Sequence, residues 1–210
     1  MRGLQAKFSY EKAYRLPTNE EAFGDEDMGS GDVKIKPEHS NNLNFNLGYN
    51  AMFGKHSVYV EGGLIFRNTK NYIQRKLVDL SGGKTGAAYE NHGGVKTRGF
   101  NISARYGYGG WISIGENFTQ TNVYDNVRTV SAESSQQSLT YGTRMPNIPY
   151  RFATSDVNFY WHGLGAADNL LVVTYDNLYV HNFLLYSEAL GSGSKYIVPT
   201  QFSHNLTFTS

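Results

Sequence analysis

The densest set of acidic side chains in the chain lies in the stretch EEAFGDEDMGSGD, residues 20–32. Carboxylate oxygens are the ligands that Ca²⁺ prefers, so this segment is the first candidate for a metal site. The EF-hand spacing fails, because Gly29 and Ser30 stand at the positions of the fifth-position ligand and the sixth-position glycine, and Lys36 replaces the closing glutamate. We therefore expect a solvated acidic loop and no metal site.

No other motif in the sequence supports catalysis or a cofactor. Gly83-Lys84-Thr85 ends like a phosphate-binding loop, but Val78 stands where that motif has its first glycine. The six histidines show no i, i+4 pairing, and no serine lies in a GxSxG context. The chain has no cysteine, which removes thiol nucleophiles, and its net charge of +1 gives no basic footprint for nucleic acid. The sequence predicts a protein that is not an enzyme, with no catalytic residues, no cofactor and no nucleic-acid partner.

Recognition of a ligand is the chemistry that the remaining residues could perform. Aromatic rings and forked guanidinium groups bind glycans, chelates and peptides, and several of these side chains fall in predicted loops. The candidate ligand-binding residues are Tyr72, Arg75, Tyr89, Arg128, Tyr141 and Arg144. Such residues are also common in loops that bind nothing, so the case depends on the elements that hold them.

Those elements are best shown by NNLNFNLGYNAMF, residues 41–53. Apolar residues occupy every second position, and asparagine or glycine fills most positions between them. A period of two is that of a β-strand with one apolar and one polar face. Gly54-Lys55 then supplies a two-residue turn, and a second alternating strand follows at 56–68.

The same pattern predicts an all-β fold, an antiparallel meander of about eight strands at 3–14, 42–53, 56–68, 94–106, 111–122, 150–161, 169–180 and 200–210. Short and long connections alternate, with the short ones at 54–55, 107–110 and 162–168 and the long ones at 15–41, 69–93, 123–149 and 181–199. In a meander this places all short turns at one end and all long loops at the other, as in outer-membrane barrels. Strands of about twelve residues, tilted near 45°, rise about 28 Å and match the hydrocarbon thickness.

The two faces of each strand would then meet different surroundings, lipid outside and a polar lumen inside. The predicted lumen-facing polar residues are Asn42, Asn44, Asn46, Glu61, Arg67, Arg98, Arg105 and Asp156. Glu116 and His204 break the pattern, because each falls among apolar residues of the lipid face, either near an interface or where the register slips. Aromatic residues beside the short turns predict one rim of an interfacial girdle, formed by Phe53, Tyr106, Tyr108, Trp111, Tyr160 and Trp161.

Several segments resemble the barrel of TonB-dependent receptors of the outer membrane, particularly those of Bacteroidota. They are YRLPTNEEAFG (14–24), KPEHSNNLNFNLGY (36–49), IFRNTKNYI (65–73), VKTRGFNISARYGYGGWISIGENFT (95–119) and RMPNIPYRFATSDVNF (144–159). The resemblance implies the C-terminal part of a 22-stranded barrel in the cell outer membrane. Such a barrel is plugged by an N-terminal domain and imports a scarce nutrient, such as a glycan or a siderophore, with energy delivered through TonB.

On this interpretation residues 1–210 form one partial barrel domain, and the plug, the signal peptide and the final strands lie outside the sequence. The expected partners are outer-membrane lipid, TonB acting through the plug, the imported small ligand or oligosaccharide, and a surface lipoprotein over the long loops. Two alternatives stay open. One is a self-contained eight-stranded outer-membrane adhesin or structural barrel, although asparagine and glycine would fill its narrow interior poorly. The other is a soluble all-β glycan-binding module.

Overall fold

A computed structural model of the chain describes residues 2–24, 29–80, 84–130, 135–163, 168–187, 189 and 196–210. Strands dominate this part of the chain, and none of its helices is long and apolar enough to cross a membrane. The elements are β1 (Arg2–Arg15), α1 (Asn19–Phe23), β2 (Gly29–Ser30), β3 (Glu38–Phe53), β4 (His56–Leu80), β5 (Lys84–Tyr108), β6 (Ile112–Asp125), β7 (Arg151–His162), β8 (Leu170–Val180), β9 (Phe183–Leu184), β10 (Ile197–Val198) and β11 (Gln201–Thr209).

Eight strands form one antiparallel meander in the order β1-β3-β4-β5-β6-β7-β8-β11, with the short β2 pairing alongside β5. β1 and β11 lie at the two ends of this order, and they do not pair with each other in the described part of the chain. The predicted all-β antiparallel fold and its eight strands are confirmed. The sheet is an open arc, which argues against a self-contained eight-stranded barrel, because closure would need β1 and β11 to pair.

The largest departure from the predicted elements is the long hairpin of β4 and β5. The sequence predicts a loop over 69–93, whereas the strand pairing continues up to Leu80↔Lys84. The loop prediction is therefore wrong for most of this segment. The ladder is interrupted at Asn71, which has a φ of +53°. Backbone pairing does not require strict two-face alternation, and residues 71–80 do not alternate strictly, so the alternating pattern did not reveal this hairpin.

The sheet has one apolar and one polar face, because directly paired residues on neighbouring strands lie on the same side. Phe45 pairs with Leu64, and Leu64 pairs with Phe100. Phe45 and Leu64 are 41% and 46% exposed, whereas Asn42 on the opposite face is 5% exposed. We call the face that carries Phe45, Leu64 and Phe100 the outer face, and the face that carries Asn42 the inner face. A broad exposed apolar face is typical of a surface that another apolar phase covers.

The two exceptions in the apolar pattern do not arise from a slipped register. Glu116 pairs with Ser155, Ser155 with Asn177, and Asn177 with His204, so these four residues form one cross-strand row on the outer face. We call it the polar row. Ser155 Oγ donates to Glu116 Oε2 at 2.5 Å, and Asn177 Nδ2 lies 3.0 Å from His204 Nδ1. Mutual hydrogen bonding lowers the cost of keeping polar groups on an apolar face.

The short turns lie at the opposite end of the sheet from the long connections. Gly54 and Gly109 have φ of +61° and +58°, which residues with a Cβ rarely adopt. Gly109 N donates to Lys55 O at 2.8 Å and so joins these two turns. Trp111 is 64% exposed at this end. Tyr160 pairs with a residue of β8 on the inner face, so its predicted place in an outward aromatic girdle is wrong. Most of the third turn, 164–167, lies outside the described residues.

Candidate recognition site at the long-loop end

Arg15, the last residue of β1, holds the first long connection against the sheet. Its Nη1 donates to both carboxylate oxygens of Glu21 at 3.0 Å, and its Nε and Nη2 donate to the two oxygens of Glu38, each at 3.0 Å. The side chains of Glu21 and Glu38 are 12% and 13% exposed. A guanidinium bound along two edges by two carboxylates fixes the positions of β1, α1 and β3 relative to one another.

The two glutamates also bind backbone groups. Thr18 and Glu21 form a capping box at α1, in which Thr18 N donates to Glu21 Oε2 at 2.8 Å and Glu21 N donates to Thr18 Oγ1 at 3.3 Å. Glu38 Oε1 accepts a hydrogen bond of 2.8 Å from Ile73 N. The prediction of a solvated acidic loop is therefore wrong for Glu21, whereas residues 25–27 of that loop lie outside the described residues. The T-x-x-E spacing of the capping box was the available sequence signal.

Three of the predicted ligand-binding residues lie on the β4–β5 hairpin beside this network. Arg75 pairs with Tyr89, whose hydroxyl donates to Glu20 Oε1 at 2.6 Å. That hydrogen bond raises the pKa of Tyr89 above its ordinary value. Burial raises the pKa of Tyr72, and the nearby charge of Glu38 adds to the effect. Both phenols therefore stay protonated at neutral pH, where they can act as hydrogen-bond donors.

The long connection after β6 is organised around Asp125, which is 4% exposed. Its carboxylate accepts from Thr140 Oγ1 at 2.6 Å and lies 2.9 Å from His92 Nε2 on β5. On this scaffold Arg128 Nε donates to Tyr141 Oη at 3.1 Å, and the guanidinium carbon of Arg128 lies 5.6 Å from the centroid of the Tyr141 ring. Two further predicted ligand-binding residues are thus brought into contact with each other.

Arg144 is separate from both groups. It bridges to Tyr124, which pairs with Lys96 on the outer face, and its guanidinium carbon lies 4.0 Å above the ring of Tyr150. The six predicted ligand-binding residues therefore fall into a hairpin group, a pair on the next connection, and one arginine on the outer face. Their contact with a cargo stays a prediction.

The predicted lumen-facing residues lie on the inner face with one exception. Cross-strand pairing places Arg67 beside Asn42, and Arg105 lies in the same row as Asp156. Arg98 instead pairs with Phe66, so it lies on the outer face and its assignment to the lumen is wrong. Residues an odd number of positions apart on one strand point to opposite faces, so Arg98 and Arg105 could not share a face. That the inner face lines a lumen stays a prediction for the other seven residues.

An ion pair crosses the inner face where a glycine leaves room for it. Arg105 Nη2 lies 3.0 Å from Asp156 Oδ1, and Arg105 Nη1 lies 3.3 Å from Asp156 Oδ2. Gly115 stands between them, paired with Arg105 on one side and Asp156 on the other. A Cβ at Gly115 would overlap the Asp156 carboxylate and approach Arg105 Nη2 to 2.8 Å. The inner face thus depends on glycine to let polar side chains meet across a strand.

In the part of the chain that the structure describes, no group of three or more His, Asp or Glu side chains could hold a metal ion. The polar contacts of the long-loop end are hydrogen bonds and ion pairs that order the connections, together with exposed aromatic and guanidinium groups. This arrangement suits noncovalent recognition of a polar ligand.

Comparison with known proteins identifies the fold. The family model described as TonB dependent receptor-like, beta-barrel matches residues 2–206. A solved structure described as copper transporter OprC has a TM-score of 0.61 and 15% identity, and the match covers 98% of this chain and 28% of that chain. At that identity the similarity shows the fold alone, and this chain spans 28% of that transporter's length. No curated protein gives a significant match.

Proposed function

We propose that this chain, which belongs to the TonB-dependent receptor-like β-barrel family, forms part of the wall of an importer for an uncharged, hydroxyl-rich nutrient such as a glycan. The family is one of outer-membrane receptors, and membership supports receptor-type transport with a carried ligand and coupling to TonB. The identity of the cargo goes further than membership. The observation that supports a glycan is the amide-rich chemistry of the inner face.

Amide side chains are spread over the inner face of several strands. Asn46 and Asn101 approach each other across Gly63, which pairs with both of them. An amide offers donors and an acceptor without a charge, so it can replace the water around a sugar hydroxyl with little electrostatic penalty. The inner-face asparagines in the paired strands include Asn42, Asn44, Asn46, Asn50, Asn101, Asn117 and Asn158.

Two sets of paired charges on the inner face favour a neutral cargo over a charged siderophore. Arg15 is bound to two glutamates, and Arg105 is bound to Asp156. These paired charges create little net field to attract a charged chelate, whereas Arg67 on the same face has no ion pair within the described residues. A siderophore therefore remains the second candidate cargo.

The complete importer extends beyond this chain in the same proposal. Unpaired edges at β1 and β11 are not tolerated in hydrocarbon, so strands outside residues 1–210 must pair with both of them. We place the arc in a 22-stranded barrel in the outer membrane, with a plug that contacts TonB and a surface lipoprotein over the long connections. The Bacteroidota type rests on the sequence resemblance alone.

Uptake by the full-length receptor in its own host tests the cargo. We expect Asn46→Leu/Asn101→Leu to lower uptake of labelled oligosaccharides at least tenfold, because the inner face loses amides that replace water. The matched control Leu47→Ile/Ile102→Leu changes the outer face of the same strands and should leave uptake unchanged. A heat-modifiable barrel band verifies assembly of each variant.

Two results would contradict the proposal. Equal uptake by the inner-face variant and the control would remove the role of the amides. A growth defect that appears only under iron limitation, with oligosaccharide uptake intact, would assign a siderophore as the cargo.

A further inference from the structure

Four basic side chains gather on the outer face at the long-loop end of β5, β6 and β7. Lys96 pairs with Tyr124, and Tyr124 bridges to Arg144, so these three residues form one cross-strand row. Arg98 follows on β5, and Arg151 on β7 pairs with a residue of β6 that also lies on the outer face. We call Lys96, Arg98, Arg144 and Arg151 the basic cluster. β6 lies between Lys96 and Arg98 on one side and Arg144 and Arg151 on the other. At the long-loop end its outer-face residues are uncharged.

The basic cluster has no acidic partner in the part of the chain that the structure describes. Among the described residues, no carboxylate oxygen lies within 4 Å of a charged nitrogen of any of its four members. Arg144 and Arg151 lie 4.0 Å and 5.8 Å from the centroid of the same ring, that of Tyr150, so two like charges share one aromatic support. Arg151 Nε is held by Gln120 Oε1 at 3.1 Å. Like charges held together without a counterion are stabilised by an anionic ligand.

A cleft opens beside these cations. Its volume is about 270 Å³, close to the lower end of the roughly 300–1,000 Å³ of small-ligand sites. It is lined by Lys96, Arg98, Tyr124, Asp125, Asn126, Tyr141 and Gly142. The carboxylate of Asp125 already accepts hydrogen bonds from Val127 N at 2.7 Å and Thr140 Oγ1 at 2.6 Å, and it is almost fully buried. The exposed groups of the cleft are therefore cationic or neutral donors.

The height of the basic cluster places it at the upper edge of the apolar band of the outer face. Arg98 and Lys96 lie ten and twelve positions along β5 from Tyr108 at the short-turn end. At about 3.3 Å per residue and a tilt near 45°, they stand about 23 Å and 28 Å above Tyr108. The outer-face positions between are mostly apolar, and include Phe100 and Ile102. The lipid-facing apolar band of an outer-membrane barrel is about 25 Å tall, so these cations stand at its upper edge. There their long side chains can reach lipid headgroups, and they are turned away from the inner face.

We propose that the basic cluster binds the phosphate groups of an anionic lipid headgroup in the outer leaflet of the membrane. The inference rests on the proposed function, since it requires the arc to be inserted in a membrane. Few charged side chains are described on the outer face of the paired strands below the β4–β5 hairpin. They are Lys12, Lys70, Lys96, Arg98, Glu116 and Arg151. The basic ones all lie toward the long-loop end, so the outer rim carries one sign of charge that complements phosphate. Clusters of basic residues at a membrane surface recognise anionic headgroups in this way.

The test is lipid binding by the full-length receptor in nanodiscs of phosphatidylcholine. The probes are diphosphorylated lipid A, its dephosphorylated form and inorganic phosphate. We expect Arg98→Gln/Arg151→Gln to weaken binding of diphosphorylated lipid A about 30-fold. The control Lys7→Gln/Lys55→Gln removes the same charge from the inner face and the short-turn rim, and should not change binding. Dephosphorylated lipid should bind wild type and variant equally weakly.

Each other outcome overturns a stated part of the proposal. Equal binding of diphosphorylated lipid A by the wild type and the double variant removes the site. Displacement of the lipid by an equal concentration of inorganic phosphate shows a site for free phosphate instead, and capture of only an acidic protein shows a protein interface. If the double variant does not assemble, Lys96→Gln is measured, with about fivefold weaker binding expected and unchanged binding counted against the site. A receptor that is absent from the outer membrane refutes the proposed function, whereas an inserted receptor without lipid selectivity refutes this inference alone.

Discussion

Replacing Arg15 by alanine should release the first long connection from the sheet. Among the described residues, the Arg15 side chain binds both Glu21 in α1 and Glu38 at the start of β3. Without it two carboxylates that are 12% and 13% exposed lose their counterion. We expect the connection to open more often, because a poorly solvated charge without a partner is destabilising.

The size of the effect follows from the geometry. Removing one partner of a buried ion pair costs about 3–5 kcal/mol. The Arg15 side chain is 42% exposed, so solvent screening places the effect at the lower end, about 3 kcal/mol. Since about 1.4 kcal/mol corresponds to a factor of ten, the opening equilibrium should rise by about 150-fold. Arg15→Lys retains the charge but not the two-edged fork, and should give an intermediate increase.

Amide hydrogen exchange of the full-length receptor in detergent measures this opening. The amide of Ile73, which donates to Glu38, and that of Asp32, which donates to Glu21 O at 3.1 Å, should lose protection. Arg67→Ala is the matched control, because it removes an inner-face guanidinium for which the structure shows no ion pair within the described residues. Equal protection in Arg15→Ala and Arg67→Ala would refute the reasoning.

Two further outcomes are expected. Gly115→Val should lower the free energy of unfolding of the receptor by about 1–3 kcal/mol in urea titrations, because the valine side chain would displace the ion pair between Arg105 and Asp156. The control Gly62→Ala, with no atom within 4 Å of the added Cβ, should have little effect. Equal losses in the two variants would contradict this. Because hydrogen bonding to Glu20 raises the folded pKa of Tyr89, its contribution to stability should be complete below the unfolded value of about 10 and be lost as the pH rises through the higher folded value. The late-titrating part of the tyrosinate absorbance curve should shrink by one group in Tyr89→Phe, and an unchanged titration curve would count against the contact.

The strands could be predicted from the sequence because one face of the sheet is apolar and the other is polar, so each strand alternates between the two residue types. In 43–47 apolar and polar residues alternate strictly, and a shift of one position would exchange the two faces. The antiparallel order followed from the alternation of short and long connections. These are properties of consecutive residues, so no long-range contact had to be known.

The β4–β5 hairpin and the Arg15 network could not be predicted in the same way. Beyond the hydrocarbon region neither face of the hairpin has to be apolar, so the period of two weakens over 71–80 although the pairing continues. The ion pair between Arg15 and Glu38 joins residues 23 positions apart and depends on the register of β1 with β3. Arg98 is misassigned for a simpler reason, because an odd number of positions separates it from Arg105 on β5 and the two side chains therefore lie on opposite faces.

The polar row shows how the outer face accommodates groups that a single strand would place in lipid at a cost. Glu116 alone, among apolar neighbours on β6, is unfavourable, although acidic residues cost less than basic ones at the lipid face of a barrel. Its neighbour in the row is Ser155, and the next two members are Asn177 and His204, so the polar groups of adjacent strands coincide in one row and bind in pairs. The register of the sheet therefore converts separate exceptions in the sequence into one hydrogen-bonded feature. The basic cluster follows the same logic at the long-loop end, where the pairing of β5, β6 and β7 gathers cations that lie far apart in the chain.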